Sequence, residues 1–271
     1  MLGGDYHVHT FRCGHAGGAT RDYVLHALQQ GLDEIAFTDH VPLYFLPGAD
    51  PLPDFAMAEN ELDGYVDEIL SLKQEFAGSI EILLGLEADF AEGHERALEQ
   101  ILRRFDWDVV LGSVHWVKGD WIDAPGSQHR HAREGTDVLW AEYDRLLAAA
   151  CASGSFDVMT HFDLPKKFGH RRPRTPQLER TERVSIEAAA RAQVAIEVSS
   201  AGLRKPVGEE YPAPALLASL VAHGVPIVFS SDAHAPAEVG FGRSEIIEAA
   251  RAAGAREFVT FRKRVRTAHP L

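Results

Sequence analysis

The chain has 271 residues and a formal net charge of −13, from 27 basic and 40 acidic residues. Apolar side chains make up 45% of it, enough to fill the core of one large α/β barrel. So acidic a surface repels DNA, RNA and anionic membranes, but a small anionic substrate can still bind in a locally cationic pocket. We therefore expect one domain over residues 1–271, with no nucleic-acid or membrane partner.

The N-terminus and the cysteines indicate a reducing compartment. The first ten residues, MLGGDYHVHT, lack the basic-then-apolar layout of a signal peptide. Cys13 and Cys151 are the only cysteines in the sequence, too few for an extracellular disulfide framework. No apolar run approaches the roughly 18 residues that span a bilayer. We therefore predict a cytoplasmic protein.

Short apolar runs rich in β-branched residues alternate with longer amphipathic stretches. In chain order, the predicted strands cover residues 5–9, 34–38, 81–86, 108–113, 157–160, 194–198 and 226–230, with a further candidate at 257–261. The predicted helices cover residues 20–30, 59–76, 92–104, 136–152, 177–192, 213–223 and 243–253.

Seven or eight strand–helix alternations imply a parallel sheet, and this number favours closure of the sheet into a barrel. An open, doubly wound sheet is the alternative. No G-x-G-x-x-G or phosphate-binding-loop motif lies at a strand–helix junction, so the open-sheet nucleotide binder lacks its main support.

The first predicted strand contains His7 and His9 at positions i and i+2, so both imidazoles project from one face. Two neutral imidazoles side by side suit a metal such as zinc, iron or manganese. A His-x-His pair alone more often consists of two hydrogen-bonded core histidines. The pair therefore needs support from the rest of the chain.

Five later strands end in His, Glu or Asp where their apolar run stops, and His15 follows in the loop after the first strand. The strand-end residues are His40, Glu87, His115, His161, Asp232 and His234. In a β/α barrel the carboxyl ends of the strands converge on one mouth. A cluster of imidazoles and carboxylates is costly to bury without cations. The sequence therefore predicts a metal centre at the mouth of the barrel, as in a metal-dependent hydrolase.

Three polar residues near these positions have other predicted roles. We expect Asp39 to support a ligand or cap a turn, because the adjacent His40 occupies the better ligand position. Asp89 is predicted to cap the helix that follows it. Cys13 could bind a metal, but its loop position and the supply of better-placed imidazoles favour a bystander.

Several separated segments resemble the PHP (polymerase and histidinol phosphatase) family. They read D-Y-H-V-H-T, F-T-D-H, G-L-E-A-D-F, G-S-V-H-W and S-S-D-A-H, in the family's order. The segments C-G-H-A at 13–16, T-H-F-D-L-P-K-K-F at 160–168, and S-A-G-L-R-K-P at 200–206 with E-Y-P at 210–212 are similar to its histidinol-phosphatase branch. The resemblance implies a distorted (β/α)7 barrel with three divalent metal ions.

The resemblance also divides the ligands among these metals, with Glu87 as a bridging carboxylate. The first metal would be held by His7, His9, Glu87 and Asp232. The second would be shared by Glu87, His115 and His161. The third would be held by His15, His40 and His234.

The implied reaction is hydrolysis of L-histidinol phosphate to L-histidinol and inorganic phosphate, a step of histidine biosynthesis. Metal ions can supply the nucleophile at neutral pH and neutralise charge on the phosphoryl group. We expect a water between the first two metals to attack phosphorus in line. Asp232 or His234 is the candidate proton donor to the leaving oxygen, unless metal binding displaces that proton.

Basic residues follow two strands at the predicted mouth and are candidate phosphate contacts. Arg204 and Lys205 follow the sixth strand, and Lys166 and Lys167 follow His161. A guanidinium can bind phosphate oxygens in a bidentate manner. For each of these residues the alternative is a solvated loop cation. Ser200 could add a hydroxyl contact, or be a strand-end serine with a partner in the protein.

Other readings remain. A PHP-type phosphoesterase could act on another small phosphomonoester or on nucleotides. An amidohydrolase also begins with His-x-His on a barrel strand and ends with an Asp, but the T-D-H and D-x-H steps fit the PHP pattern better. A barrel that binds metal without catalysis is a different class, and it would show no phosphatase activity when loaded with metal.

Overall fold

The fold, in a computed structural model that describes residues 3–46 and 55–271, is built on one seven-stranded parallel sheet. Its strands follow chain order: β1 (Asp5–Val8), β2 (Glu34–Phe37), β3 (Glu81–Asp89), β4 (Val109–Ser113), β5 (Val158–Met159), β6 (Ala195–Ser199) and β7 (Ile227–Ser230).

The sheet closes on itself between β1 and the residues after β7. The backbone N–H of His9 donates to the carbonyl of Ala233 at 2.9 Å, and the N–H of Ala233 donates to the carbonyl of His7 at 3.0 Å. The predicted distorted (β/α)7 barrel is therefore confirmed, and the open sheet is excluded.

The helices are α1 (Thr20–Gln29), α2 (Leu62–Glu75), α3 (Glu95–Leu102), α4 (Arg130–Glu134), α5 (Thr136–Ala152), α6 (Pro176–Ala192), α7 (Pro214–Ala222) and α8 (Arg243–Ala252). The predicted bounds of α5 are confirmed. The helix predicted from residue 92 begins later, because Gly93 has φ +85° and turns the chain first. The short helix α4 was not predicted. Within the described ranges, no helix is long and apolar enough to cross a membrane.

The eighth strand candidate exists but lies outside the barrel sheet. It forms β8 (Glu257–Arg262), which pairs antiparallel with β9 (Val265–Pro270). Val259 and Phe261 pack with Tyr6 in the apolar cluster inside the barrel. The backbone N–H of Phe261 donates to the Tyr6 hydroxyl at 3.0 Å. The hairpin thus closes the amino-terminal end of the barrel, which leaves the carboxyl-terminal end as the open mouth.

A bulge in β1 sets the direction of its histidine side chain. Asp5 pairs with Ile35 and Val8 with Phe37, so β1 has one residue more than β2 between the two pairs. Bulges bend a strand and redirect side chains next to active sites. Here the Tyr6 ring fills the lower core, and the adjacent His7 also reaches the interior of the barrel.

The contact between β3 and β4 leaves no room for a side chain at Gly85. A Cβ there would lie 2.7 Å from the carbonyl oxygen of Val109 and 2.8 Å from Thr38 Cγ2. We expect Gly85→Ala to lower the free energy of unfolding by about 1–3 kcal/mol, because backbone must move. Gly64→Ala in α2 is the control. Its Cβ would meet nothing closer than 4.0 Å, so it should raise stability by about 0.5–1 kcal/mol. Denaturant unfolding of the two variants measures both effects, and equal stabilities would contradict the tight contact.

Candidate metal centre

The nine predicted metal ligands lie together at the carboxyl-terminal mouth of the barrel. They form three neighbouring groups, and Glu87 on β3 belongs to two of them. The contacts within each group are given below.

The first group joins both ends of the sheet. His9 Nε2 lies 3.0 Å from His7 Nε2 and 3.1 Å from Asp232 Oδ1. Glu87 Oε2 lies 3.1 Å from His7 Nε2 and 3.5 Å from His9 Nε2. Donors that share one tetrahedral ion at about 2.0–2.2 Å are roughly 3.4 Å apart. His7, His9 and Asp232 therefore have the spacing that one metal ion requires, and Glu87 lies against both histidines.

The second group contains His115 and His161, whose Nε2 atoms are 3.2 Å apart. Glu87 Oε1 lies 3.2 Å from His161 Nε2 and 3.8 Å from His115 Nε2. The two oxygens of Glu87 thus face different groups. This is the geometry of a carboxylate that bridges two metal ions.

The third group contains His15 and His234, whose Nε2 atoms are 2.9 Å apart. His40 lies between this group and the first. Its Nδ1 is 3.0 Å from Glu87 Oε2, and one of its ring nitrogens lies within 4.8 Å of ligand atoms of His9 and His234. The sulfur of Cys13 also lies within 4.8 Å of ligand atoms of His15 and His234. Burial raises the pKa of this thiol, which favours the neutral form over the thiolate that binds metals.

Carboxylates behind three of the histidines orient the imidazole rings. His7 Nδ1 lies 2.9 Å from Glu197 Oε2, and His115 Nδ1 lies 3.0 Å from Asp89 Oδ1. His9 Nδ1 lies 3.4 Å from Asp39. A partner on Nδ1 leaves Nε2 free to face the metal and increases its basicity. These pairs explain why the Nε2 atoms of the three rings point into the mouth.

Glu197 was missed by the sequence analysis, and Asp89 was misassigned. Glu197 lies within the buried strand β6, where it accepts from the backbone N–H of His161 at 2.6 Å and from the Ser230 hydroxyl at 2.8 Å. A single carboxylate in the apolar run A-I-E-V-S was the available signal. The prediction that Asp89 caps a helix is wrong: it accepts from the backbone N–H of His115, and α3 begins only at Glu95.

Opposite charges within the mouth shift the pKa values of its buried groups. Burial alone would lower the pKa of His7, but Glu87, Glu197 and Asp232 raise it well above its usual value. Against burial, Asp232 and Asp39 raise the pKa of His9 to about 9. In the opposite sense, imidazoles hold the pKa of Glu87 and of Asp232 well below the usual range despite burial. The carboxylates are therefore ionised, and a metal that binds at His7 and His9 must displace protons from these two imidazoles.

Two of the predicted ligands have backbone conformations with positive φ, 52° for Asp232 and 21° for His161. Such values are uncommon outside glycine and are often found at functional sites. Arg204 braces the backbone at the first of them. Its Nη2 donates to the carbonyls of Ser231 at 2.8 Å and Asp232 at 3.1 Å. This contact fixes the segment that presents Asp232.

A cavity of about 750 Å³ lies over the metal-ligand groups. Phe55, Trp121, Leu164 and Tyr211 contribute much of its apolar lining. A phosphomonoester with a sizeable organic group can enter a cavity of this volume.

Two of the five predicted substrate contacts, Lys167 and Lys205, line this cavity in the described part of the chain. Lys166 instead lies buried in an ion-pair cluster, with Nζ 2.9 Å from Asp163 and 3.0 Å from Glu209.

The other two predicted contacts are Ser200 and Arg204. Ser200 is fully buried, and its hydroxyl has no partner within the described ranges. Arg204 braces the backbone of Asp232 and ion-pairs with Glu238 at 3.3 Å.

A β/α barrel whose mouth gathers seven histidines and two carboxylates defines a metal-dependent hydrolase. The chain belongs to the PHP domain family, whose model matches residues 5–201. It is 41% identical to the probable histidinol-phosphatase of Deinococcus radiodurans over 96% of both chains. It is 28% identical to the histidinol-phosphatase of Bacillus subtilis, over 90% of this chain and 98% of the other.

Solved structures agree with the fold. The chain is similar to the histidinol phosphate phosphatase of Lactococcus lactis, crystallised with zinc, L-histidinol and phosphate. The TM-score is 0.76 at 23% identity, over 97% of this chain and 98% of the other.

The role of Glu197 is tested by Glu197→Gln. We expect metal affinity to fall about 10–100-fold, because the amide is a weaker hydrogen-bond acceptor both for His7 Nδ1 and for the backbone N–H of His161. Metal titration of the chelator-treated protein measures the change. Glu187→Gln on α6, where the side chain is 45% exposed, is the matched control. An affinity equal to that of the control would show that Glu197 does not set the His7 ring.

Proposed function

We propose that the chain is a histidinol-phosphatase that hydrolyses L-histidinol phosphate to L-histidinol and inorganic phosphate. The 41% identity to the Deinococcus radiodurans relative, over 96% of both chains, is the observation that carries the proposal. The three donor groups at the mouth support it, because phosphate-ester hydrolysis needs cations at the reacting phosphorus.

We propose three divalent metal ions at these groups, with zinc, iron and manganese all compatible with imidazole and carboxylate donors. His7, His9, Glu87 and Asp232 would hold the first ion. Glu87, His115 and His161 would hold the second. His15, His40 and His234 would hold the third. Bound there, the ions would supply a nucleophile at neutral pH and neutralise charge on the phosphoryl group.

The chain's own residues bind the substrate and fix the positions of the metal-ligand groups. Lys205 lines the cavity and is placed to pair with phosphate oxygens, whereas Lys167, which also lines it, is held by Asp123 at 2.9 Å. Asp232 Oδ1 lies 3.5 Å from His234 Nδ1. Because both residues are proposed metal ligands and Asp232 is ionised, the proton for the leaving oxygen must come from water in the cavity. Glu87 holds the two groups that it contacts at a fixed separation.

On this proposal, residues 1–271 act as one metallophosphatase domain in histidine biosynthesis. The cytoplasmic location and the lack of a nucleic-acid partner stay predictions from the sequence.

Phosphate release tests the substrate assignment. We expect anaerobically purified protein with measured metal content to hydrolyse L-histidinol phosphate with a kcat/KM at least about 100-fold above that for glycerol phosphate, since only the first can use the whole cavity. Equal rates across unrelated esters would remove the specific assignment and leave a PHP-type phosphatase of broader range.

The bridging role of Glu87 is tested by Glu87→Ala. We expect kcat to fall by more than about 100-fold together with the loss of at least one bound metal, because both groups lose a shared oxygen donor. Glu99→Ala on α3, where the side chain is 56% exposed, controls for removal of a carboxylate elsewhere. A Glu87→Ala protein that keeps its full metal content and its kcat would rule out the bridge.

A further inference from the structure

Part of the cavity, beside the metal-ligand groups, is lined by aromatic and acidic side chains. Phe55 and Trp121 both line it and stack on each other, with ring centroids 4.7 Å apart and ring planes 26° apart. Both are only partly buried. Asp123, two residues after Trp121, also lines the cavity, close enough to His115 and His161 for its charge to act on them. We call Phe55, Trp121 and Asp123 the outer wall.

Asp123 brings a negative charge into a cavity that must receive a phosphate. Its Oδ2 lies 2.9 Å from Lys167 Nζ, which also donates to the Asp123 carbonyl at 2.8 Å. Its Oδ1 makes no hydrogen bond or ion pair with the described residues. The ion pair with Lys167 offsets this charge, and Oδ1 remains an acceptor that a cationic group of the substrate can bind.

A buried arginine holds the backbone at Trp121. Trp121 lies in a short hairpin formed by Trp116–Val117 and Asp120–Trp121. Arg130 donates to the carbonyls of Val117 at 2.8 Å, Asp120 at 2.9 Å and Trp121 at 3.0 Å. It also ion-pairs with Glu134 at 2.8 Å. A hairpin fixed in this way needs little ordering when a ligand contacts Trp121, which favours selective binding.

We propose that the outer wall is the specificity face of the site, where Phe55 and Trp121 hold a flat ring of the substrate and Asp123 pairs with its cationic group. The phosphate then lies at the metal-ligand groups. This inference rests on the proposed function and defines its substrate class: a phosphomonoester that bears both a planar ring and an ammonium group. Offset stacking accounts for the contact with the ring. A charge-assisted hydrogen bond accounts for the contact between Asp123 and the ammonium group.

Four phosphomonoesters separate the two contacts. L-histidinol phosphate has a ring and an ammonium group, phenyl phosphate only a ring, phosphoethanolamine only an ammonium group, and glycerol phosphate neither. The measured quantity is the ratio of kcat/KM for each ester to that for glycerol phosphate. A general loss of metal or of stability lowers all four values and leaves the ratios unchanged.

The tested variants are Trp121→Leu and Asp123→Asn, each with a matched control. Trp116→Leu removes a neighbouring indole that does not line this cavity in the described residues. Asp63→Asn on α2 neutralises a carboxylate whose side chain is 72% exposed. We expect Trp121→Leu to lower the ratios of both ring-bearing esters about 10-fold. Trp121→Phe, which keeps a ring, should restore most of the loss.

Asp123→Asn should lower the ratios of the two ammonium esters about 10-fold and leave that of phenyl phosphate unchanged. Ratios equal to those of the controls, in a wild-type protein that hydrolyses L-histidinol phosphate, would overturn the specificity face and leave the proposed function standing. No phosphate release from any of the four esters by metal-replete wild-type protein would overturn the proposed function and the specificity face with it.

Discussion

The mouth of the barrel depends on one carboxylate, Glu87, whose two oxygens face different histidine groups. Oε2 faces His7, His9 and His40, and Oε1 faces the group of His115 and His161. A buried carboxylate surrounded by imidazoles is stable only while it is ionised and its neighbours carry protons or metal ions. Its position is set by β3, which lies between β2 and β4 and packs tightly against β4 at Gly85.

The two ends of the barrel have different roles: the amino-terminal end is packed for stability, and the carboxyl-terminal end holds the candidate metal ligands. Apolar side chains fill the interior from the amino-terminal end, where the β8–β9 hairpin contributes Val259 and Phe261. Above them, the inward-facing positions become polar. Because the lower part is packed by apolar contacts that need no ion, the upper part can hold a cluster of charges that would not be stable alone.

The strands and most of the candidate ligands could be predicted because two simple signals coincide. An apolar run that ends in His or Asp marks both the end of a strand and the mouth of a parallel barrel, as at His115 and His161. The bounds of α5 followed from its apolar periodicity. The predicted fold needed little more than this alternation.

The remaining features depend on tertiary contacts that periodicity does not show. Glu197 lies inside a strand, so it has no strand-end signal. Arg130 lies in a five-residue helix that is too short to show a period. Lys166 and Lys167 are neighbours in sequence, yet one is buried among carboxylates and the other lines the cavity. Only the folded loop decides which of two adjacent lysines lines the cavity.

The seam of the barrel gives the metal centre a second role. Two backbone hydrogen bonds join β1 to the segment after β7, and across the same seam His9 meets Asp232, 223 positions later in the chain. An ion bound between these side chains would cross-link the first strand of the sheet to the segment after its last strand. The free energy of binding this ion would therefore also stabilise the closed barrel against opening at the seam. Loss of the ion would destabilise the barrel first along this seam, far from the apolar cluster at its amino-terminal end.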